Sequence, residues 1–209
     1  MFNKFIQFLK TKSEKRTRVA IFGTMLVGGL AALTAAFVLI LEKFHLEADP
    51  HAVLSCSFNL VLNCSTVMQT WQAHVFGFPN MLIGLIAFPV VITFALASLS
   101  GVKFPRWWLI LANIGFALGL IFSYWLFFQS VYAIQVLCPW CLIVTTSTTL
   151  IFSTMLHYNL KQNTFKFSKK VNDRIQRFLA GGFHQMIVLA WIALMVVLVF
   201  LKFGDALFA

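Results

Sequence analysis

Four cysteines are the residues of this chain whose type and spacing point to chemistry. Cys138 and Cys141 enclose two residues in a Cys-Pro-Trp-Cys motif, and Cys56 and Cys64 are separated by seven residues in an earlier segment. A Cys-x-x-Cys motif at the start of a helix brings two thiols within bonding reach, and the amides and dipole of the first turn stabilise a thiolate. The motif therefore predicts a redox-active dithiol.

The earlier pair, Cys56 and Cys64, allows two interpretations. Taken alone, it is a structural disulfide that staples a segment with little core of its own. Beside a fixed dithiol, it is a second redox pair, because a loop can present a disulfide first to a soluble partner and then to the membrane dithiol. We expect the second arrangement, a relay of two pairs.

A zinc site is the non-redox alternative. The four cysteines supply enough ligands for zinc, with His51 and His74 in reserve. An even number of cysteines in an oxidising compartment is instead typical of disulfides. We therefore predict no metal.

The elements that carry these cysteines are membrane helices. The chain of 209 residues is 60% hydrophobic and only 11% charged, which is typical of an integral membrane protein rather than a soluble domain. Five runs without Asp, Glu, Lys or Arg are long enough to cross about 30 Å of hydrocarbon; they cover residues 19–41, 81–100, 107–128, 138–156 and 185–201. We predict an all-α protein in the lipid bilayer, with residues 1–209 as a single domain.

The basic residues predict the orientation of the five spans. Fourteen of the sixteen lysines and arginines lie in residues 1–18, 101–106 and 157–184, and the positive-inside rule places these segments in the cytoplasm. The amino terminus is then cytoplasmic, and all four cysteines lie on the outer side or at its membrane edge. Topology and anionic lipid attraction account for the net charge of +10, so no nucleic-acid partner is expected.

The predicted outer loop, residues 42–79, is longer than a connection between two helices needs. Its second half, residues 61–79, is amphipathic and aromatic. Such a segment is expected to lie across the outer mouth of the bundle as a cap.

The cysteine motifs, in this order and spacing, resemble the vitamin K epoxide reductase family in its bacterial branch. The resemblance rests on Cys56-Ser57-Phe58-Asn59, Asn63-Cys64-Ser65, Thr70-Trp71-Gln72-Ala73, Phe76-Gly77-Phe78-Pro79-Asn80 and Cys138-Pro139-Trp140-Cys141. It implies a bundle of four transmembrane helices around a quinone site, capped by the amphipathic segment. The fifth span adds one transmembrane helix to this bundle.

The resemblance also implies a direction of electron flow. A separate thioredoxin-fold protein of the DsbA type passes electrons to Cys56 and Cys64, which pass them to Cys138 and Cys141, and ubiquinone or menaquinone accepts them. This would support disulfide formation in secreted proteins from the bacterial inner membrane. Cys138 is then the cysteine that exchanges with the loop, and Cys141 the one near the quinone. Which loop cysteine meets the partner first stays open.

Further site residues follow from the same resemblance. Asn80 matches the family position that hydrogen-bonds the quinone carbonyl, with a plain helix cap as its alternative. Thr70 matches a position that steadies the loop, with an ordinary surface threonine as its alternative. Phe76, Trp140 and Thr145 are assigned to the quinone site.

Thr145 is also a departure from the family pattern, because vertebrate members carry a tyrosine at this position, four residues after Cys141. A plain quinone is therefore the expected acceptor, and vitamin K epoxide is the alternative substrate. Two further interpretations are a non-redox metal-binding membrane protein and a DsbB-type oxidase of different ancestry. The DsbB type is disfavoured because its Cys-x-x-Cys motif would precede the widely spaced pair.

Overall fold

The fold is helical throughout the part of the chain that can be described. The computed structural model describes residues 2–49, 54–57, 59 and 61–207, with only the backbone for residues 2–14 and 205–207. Within these ranges there is no named strand, and the α-helices are α1 (Phe2–Ala48), α2 (Cys64–Met68), α3 (Met81–Leu99), α4 (Arg106–Phe128), α5 (Pro139–Lys161), α6 (Lys169–Ala180) and α7 (Phe183–Leu207).

Five of these helices, α1, α3, α4, α5 and α7, are long and apolar enough to cross a membrane. The predicted class, an all-α membrane protein with several spans, is confirmed. Because each span is helical, its backbone hydrogen bonds are satisfied internally, as a hydrocarbon environment requires.

The bundle is built around α1, which packs along both α3 and α5, while α4 packs on α5. The core between them contains the fully buried side chains Phe22, Met25 and Met155. A small residue allows α1 and α3 to approach closely: a Cβ atom at Gly84 would lie 3.2 Å from the Cβ of Ala36. In contrast, α3 and α4 hardly touch each other, which leaves a cavity between them.

Helix α7 lies at the edge of the bundle, with most of its surface exposed. A short chain of hydrogen bonds holds it: the indole N–H of Trp191 donates to the hydroxyl oxygen of Tyr124 at 2.8 Å, and that hydroxyl is 2.7 Å from Oγ1 of Thr149. The Thr149 hydroxyl donates to the carbonyl of Thr145 at 2.8 Å. These bonds connect α7 to α4 and α5.

Four of the five spanning helices, α1, α4, α5 and α7, extend further than the apolar runs predicted. Helix α1 continues to Ala48 instead of ending at residue 41, and α4 continues beyond residue 128 into a π-helical turn, Gln129–Ile134. The hydropathy of a run marks the membrane crossing and not the end of the helix, so charged residues such as Glu42 and Lys43 continue α1 beyond it. The π-helical turn ends at Gln135, which adopts a left-handed conformation with φ 58°.

Candidate redox site at one end of the bundle

All four cysteines meet at one end of the bundle, which we call the cysteine end. Cys56 and Cys64 form a disulfide bond, with their Cα atoms 5.7 Å apart, whereas Cys138 and Cys141 are free thiols. The sulfur of Cys64 lies 3.4 Å from the sulfur of Cys138. The two pairs are therefore in contact, which is what thiol–disulfide exchange between them requires.

A parallel backbone bridge brings these two sulfurs together. The N–H of Asn63 donates to the carbonyl of Leu137 at 3.0 Å, and the N–H of Leu137 donates to the carbonyl of Val61 at 2.7 Å. Each of the two bridged segments is followed directly by a cysteine, Cys64 in one and Cys138 in the other. The register of the bridge thus determines which loop cysteine contacts the dithiol.

The side chain of Asn63 makes Cys64 the first residue of a helix. Its Oδ1 accepts from the backbone N–H of Thr66 at 3.2 Å, which caps the start of α2. The same oxygen accepts from the hydroxyls of Ser65 at 2.7 Å and Ser57 at 3.1 Å. Cys64, described from the sequence as one of two equivalent loop cysteines, is instead held in a defined position with no exposed surface.

Cys138 occupies the residue just before the membrane-spanning helix α5, and Pro139 takes the first helical position, where its missing N–H costs nothing. The backbone N–H of Cys141 lies 3.4 Å from the Cys138 sulfur. The pKa of Cys138 is lowered, mainly by the hydrogen bond from the Cys141 side chain and also by the backbone N–H groups of Cys141 and Trp140, against an opposing effect of burial. These hydrogen bonds stabilise the thiolate form of Cys138, the cysteine that contacts Cys64.

A cavity of about 430 Å³ lies beside the dithiol, between α3, α4 and α5. Its walls are mostly apolar, and Cys138 and Cys141 both line it, whereas Cys56 and Cys64 do not. This volume and this mixture of apolar walls with few polar groups are typical of a site for a small organic molecule. The dithiol thus stands between the loop disulfide and the cavity.

Asn80 lines this cavity at the start of α3. Its side chain makes no capping hydrogen bond; instead Nδ2 donates to the carbonyl of Gln72 at 2.6 Å. One N–H of the amide remains, and Oδ1 is buried without a hydrogen-bond partner among the described residues. Its predicted contact with a quinone carbonyl stays a prediction, for which this second N–H is the available donor.

Thr70 and Thr145 also line the cavity, and both hydroxyls are already used by the backbone. The Thr70 hydroxyl donates to the carbonyl of Val67 at 2.7 Å, and the Thr145 hydroxyl donates to that of Cys141 at 3.0 Å. Each hydroxyl oxygen can still accept a hydrogen bond.

Phe76 and Trp140 are not among the residues that line the cavity. Phe76 lies against Phe78 and Phe122, with ring centroids 6.1 and 5.5 Å away, and Trp140 packs against the buried residues around the cysteines. Phe122 does line the cavity, so Phe76 contacts a residue of its wall. The predicted quinone contacts of Phe76 and Trp140 remain untested.

Two polar residues near the site were missed by the sequence analysis. Ser123, on α4, lines the cavity and has a buried Oγ without a partner in the described part of the chain. Glu42, which was assigned to the outer loop, lies on α1 and is only 8% exposed. A serine inside an apolar span and a glutamate just beyond one carry no pattern that identifies their neighbours.

The zinc alternative receives no support from the arrangement of potential ligands. Across residues 2–49, 54–57, 59 and 61–207, no group of three or more His, Cys, Asp or Glu side chains is suitably placed to hold a metal. Cys56 and Cys64 are bonded to each other, and the Nδ1 of His74 is 3.3 Å from the carbonyl of Thr70. His51 lies outside the described residues.

Fold and site together define a multi-span membrane protein in which a loop disulfide touches a dithiol at the start of a transmembrane helix. The family model described as "Vitamin K epoxide reductase family" matches residues 24–156, more than half of the chain. The protein therefore belongs to the vitamin K epoxide reductase family, whose members are membrane redox proteins linked to quinones. A search of curated proteins found no significant match.

Proposed function

We propose that this protein is a membrane thiol–disulfide oxidoreductase that reoxidises a separate thioredoxin-fold partner of the DsbA type. Electrons pass from the partner to Cys56 and Cys64, then to Cys138 and Cys141, and finally to a quinone. The observation that carries the proposal is the 3.4 Å contact between the sulfurs of Cys64 and Cys138.

The first transfer takes place between the partner and the loop disulfide. The partner's dithiol reduces the Cys56–Cys64 disulfide to two thiols and becomes a disulfide itself. Since the backbone bridge keeps Cys64 beside Cys138, Cys56 is the loop cysteine that meets the partner. The sequence left this choice open, and the backbone bridge supports Cys56 for this role.

The second transfer takes place between the two cysteine pairs. The Cys64 thiolate attacks Cys138 of an oxidised Cys138–Cys141 pair, which forms a Cys64–Cys138 disulfide and releases Cys141 as a thiolate. Cys56 then attacks Cys64, which restores the Cys56–Cys64 disulfide and releases Cys138. The bonding in the structure, with a loop disulfide and two free thiols, corresponds to the end of this transfer.

The cavity beside the dithiol fits a quinone as the electron acceptor. Its apolar walls suit the ring, and Cys141 forms part of the wall. The Asn80 amide uses one of its two N–H groups on Gln72, so its second N–H and the unpartnered hydroxyl of Ser123 are two donors able to hold quinone oxygens. A bound quinone would supply the capacity to accept two electrons and two protons.

We further propose that the cysteine end faces the outer side of the bacterial inner membrane. Arg106 and Lys161 lie at the other ends of α4 and α5, the helices that lead to the cysteine end, and Lys103 lies in the connection just before α4. Lysine and arginine are enriched on the cytoplasmic side of membrane proteins, so this end is expected to be cytoplasmic and the cysteines to meet a partner outside.

Replacing the cysteine on the cavity wall tests the proposed function. In Cys141→Ser, quinone-dependent oxidation of a reduced thioredoxin-fold partner is expected to be abolished, because the dithiol can no longer form a disulfide. Thr146→Ala, an exposed position on the same helix, is the control and should keep full activity. Undiminished turnover in Cys141→Ser contradicts the proposed electron path. Extraction and mass spectrometry of the lipid bound to the purified, unsubstituted protein is a separate measurement that identifies the quinone.

A further inference from the structure

The loop disulfide is closed to other proteins in this structure. Cys56 is 1% exposed and Cys64 has no exposed surface. Disulfide exchange requires an attacking thiolate to approach in line with the sulfur–sulfur bond. Residues 54–57, which carry Cys56, must therefore move before a partner can react with Cys56.

Residues 54–57 are held to α1 by a carboxyl group. Oε1 of Glu42 accepts from the backbone N–H of Ser55 at 3.3 Å and also from the Ser55 hydroxyl. Ser55 directly precedes Cys56. On the other side of the disulfide, Cys64 is held separately, by the backbone bridge to Leu137.

The position of Glu42 is unusual for an ionisable side chain. It lies on a membrane-spanning helix and is 8% exposed. Among the described residues, no Lys, Arg or His forms an ion pair with Glu42. The adjacent Lys43 pairs instead with Glu47 at 3.5 Å. A buried carboxyl group without an ion pair is costly, so it requires hydrogen-bond partners inside the protein. Its two hydrogen bonds to Ser55 offset part of this cost.

We propose that Glu42 is a positioning residue that clamps residues 54–57 over the redox site. Release of the Glu42–Ser55 hydrogen bonds is the opening step that exposes Cys56 to the partner, while the backbone bridge keeps Cys64 beside Cys138. This inference rests on the proposed function, since it explains how one disulfide serves an external partner and an internal dithiol in turn.

The clamp has opposite effects on the two transfers. We call the form in which Cys56 is exposed the open form and the form in the structure the closed form. When the clamp is removed, the open form becomes more populated, so the partner reduces the loop disulfide faster. The transfer from the loop to Cys138 becomes slower, because it requires the closed form. A residue that only stabilised the fold would not produce this combination of one faster and one slower step.

The first measurement isolates the loop disulfide. In a Cys138→Ser/Cys141→Ser background, the full chain is mixed with a reduced thioredoxin-fold protein, and the rate at which the Cys56–Cys64 disulfide is reduced is followed by alkylation. Glu42→Ala is expected to increase this rate on the order of ten-fold, as loss of both hydrogen bonds to Ser55 implies. Ser55→Ala, at an exposed position that cannot disturb the core, should increase it by a smaller factor because its N–H remains.

Two further variants serve as controls. Glu42→Gln keeps an oxygen that accepts both hydrogen bonds from Ser55, so its rate should stay within about three-fold of the background. Glu47→Ala removes an exposed carboxylate from the same helix and should leave the rate unchanged. Equal rates in Glu42→Ala, Ser55→Ala and the background would overturn the clamp.

The second measurement uses the chain with all four cysteines. Both pairs are first converted to disulfides with a chemical thiol oxidant, and the reduced thioredoxin-fold protein then reduces Cys56 and Cys64. The rate at which the Cys138–Cys141 disulfide becomes two free thiols is expected to fall in Glu42→Ala and to recover in Glu42→Gln. If both transfers slow together, Glu42 is only structural and the clamp is wrong. Reduction of the loop disulfide involves neither quinone nor Cys141, so failure of the clamp and failure of the proposed function give different results.

Discussion

The backbone N–H of Asn63 donates to the carbonyl oxygen of Leu137 at 3.0 Å, and these are the residues that immediately precede Cys64 and Cys138. Because this contact is made by the backbone, it fixes the separation of the two cysteines without depending on their side chains. The pairing of Cys64 with Cys138, rather than of Cys56 with Cys138, is a property of the fold.

Cross-linking of cysteine pairs tests this pairing. In Cys56→Ala/Cys141→Ala only Cys64 and Cys138 remain, and mild oxidation should join them nearly completely, because their sulfurs already lie 3.4 Å apart. In Cys56→Ala/Cys138→Ala the remaining Cys64 and Cys141 should join much more slowly. The measurement is alkylation of free thiols followed by mass spectrometry. Equal yields in the two variants would show that the sulfurs are not held in this arrangement.

Asn63→Ala is expected to weaken the contact between the two pairs. The substitution removes the oxygen that accepts from the Thr66 N–H and from two serine hydroxyls, and loss of a helix cap costs about 1 kcal/mol. The cross-linking rate of Cys64 with Cys138 should fall about five-fold, which corresponds to that free energy. Thr66→Ala changes an exposed side chain of α2 and keeps the backbone N–H, so it should cross-link at the original rate.

Gly115→Leu is expected to block the cavity without disturbing the bundle. Gly115 lines the cavity, and a Cβ atom added there would meet no atom within 4 Å. The leucine side chain would therefore extend into the space proposed for the quinone and weaken binding of a redox-inactive quinone analogue at least about ten-fold, or ~1.4 kcal/mol.

Gly23→Leu is the matched control for this experiment. Gly23 also has nothing within 4 Å of an added Cβ, but it lies on α1 away from the cavity. Binding of the analogue, followed by the quenching of tryptophan fluorescence, should be unchanged in this variant. Equal binding in Gly115→Leu and Gly23→Leu would mean that the ligand does not occupy this cavity.

Tyr124→Phe is expected to loosen α7 from the bundle. Its hydroxyl oxygen accepts from the Trp191 indole and lies 2.7 Å from Oγ1 of Thr149, and interhelical hydrogen bonds in membranes contribute about 0.6 to 1.7 kcal/mol. Thermal unfolding in detergent should occur at a lower temperature than in the unsubstituted protein. Tyr132→Phe alters an exposed ring at the cysteine end and should unfold at the original temperature.

The sequence was sufficient to predict the membrane-spanning helices and the family. Apolar runs of about twenty residues have few alternatives to a membrane-spanning helix, and five such helices are present. The Cys138–Cys141 motif can be interpreted from the sequence alone, because the two cysteines, Pro139 and the start of the helix are adjacent in the chain. The capping role of Asn63 could also have been predicted from the sequence, because an asparagine just before a helix is a capping signal.

The details that organise the site were not predictable because they depend on contacts between distant residues. The bridge joins Asn63 to Leu137, and the clamp joins Glu42 to Ser55; neither partner carries a sequence signal for the other. Helix α2 has only five residues, too few for a hydrophobic period to distinguish it from a loop. The unpartnered hydroxyl of Ser123 becomes evident only once the neighbouring helices are in place.

The coexistence of one disulfide and one dithiol in the same chain has a consequence for how the protein must be assayed. Moving the bond from one cysteine pair to the other is an internal isomerisation: the total number of thiols stays the same, and no external reagent is consumed. A colorimetric thiol count is therefore blind to this step. Only labelling that identifies the position of each modified sulfur can follow it.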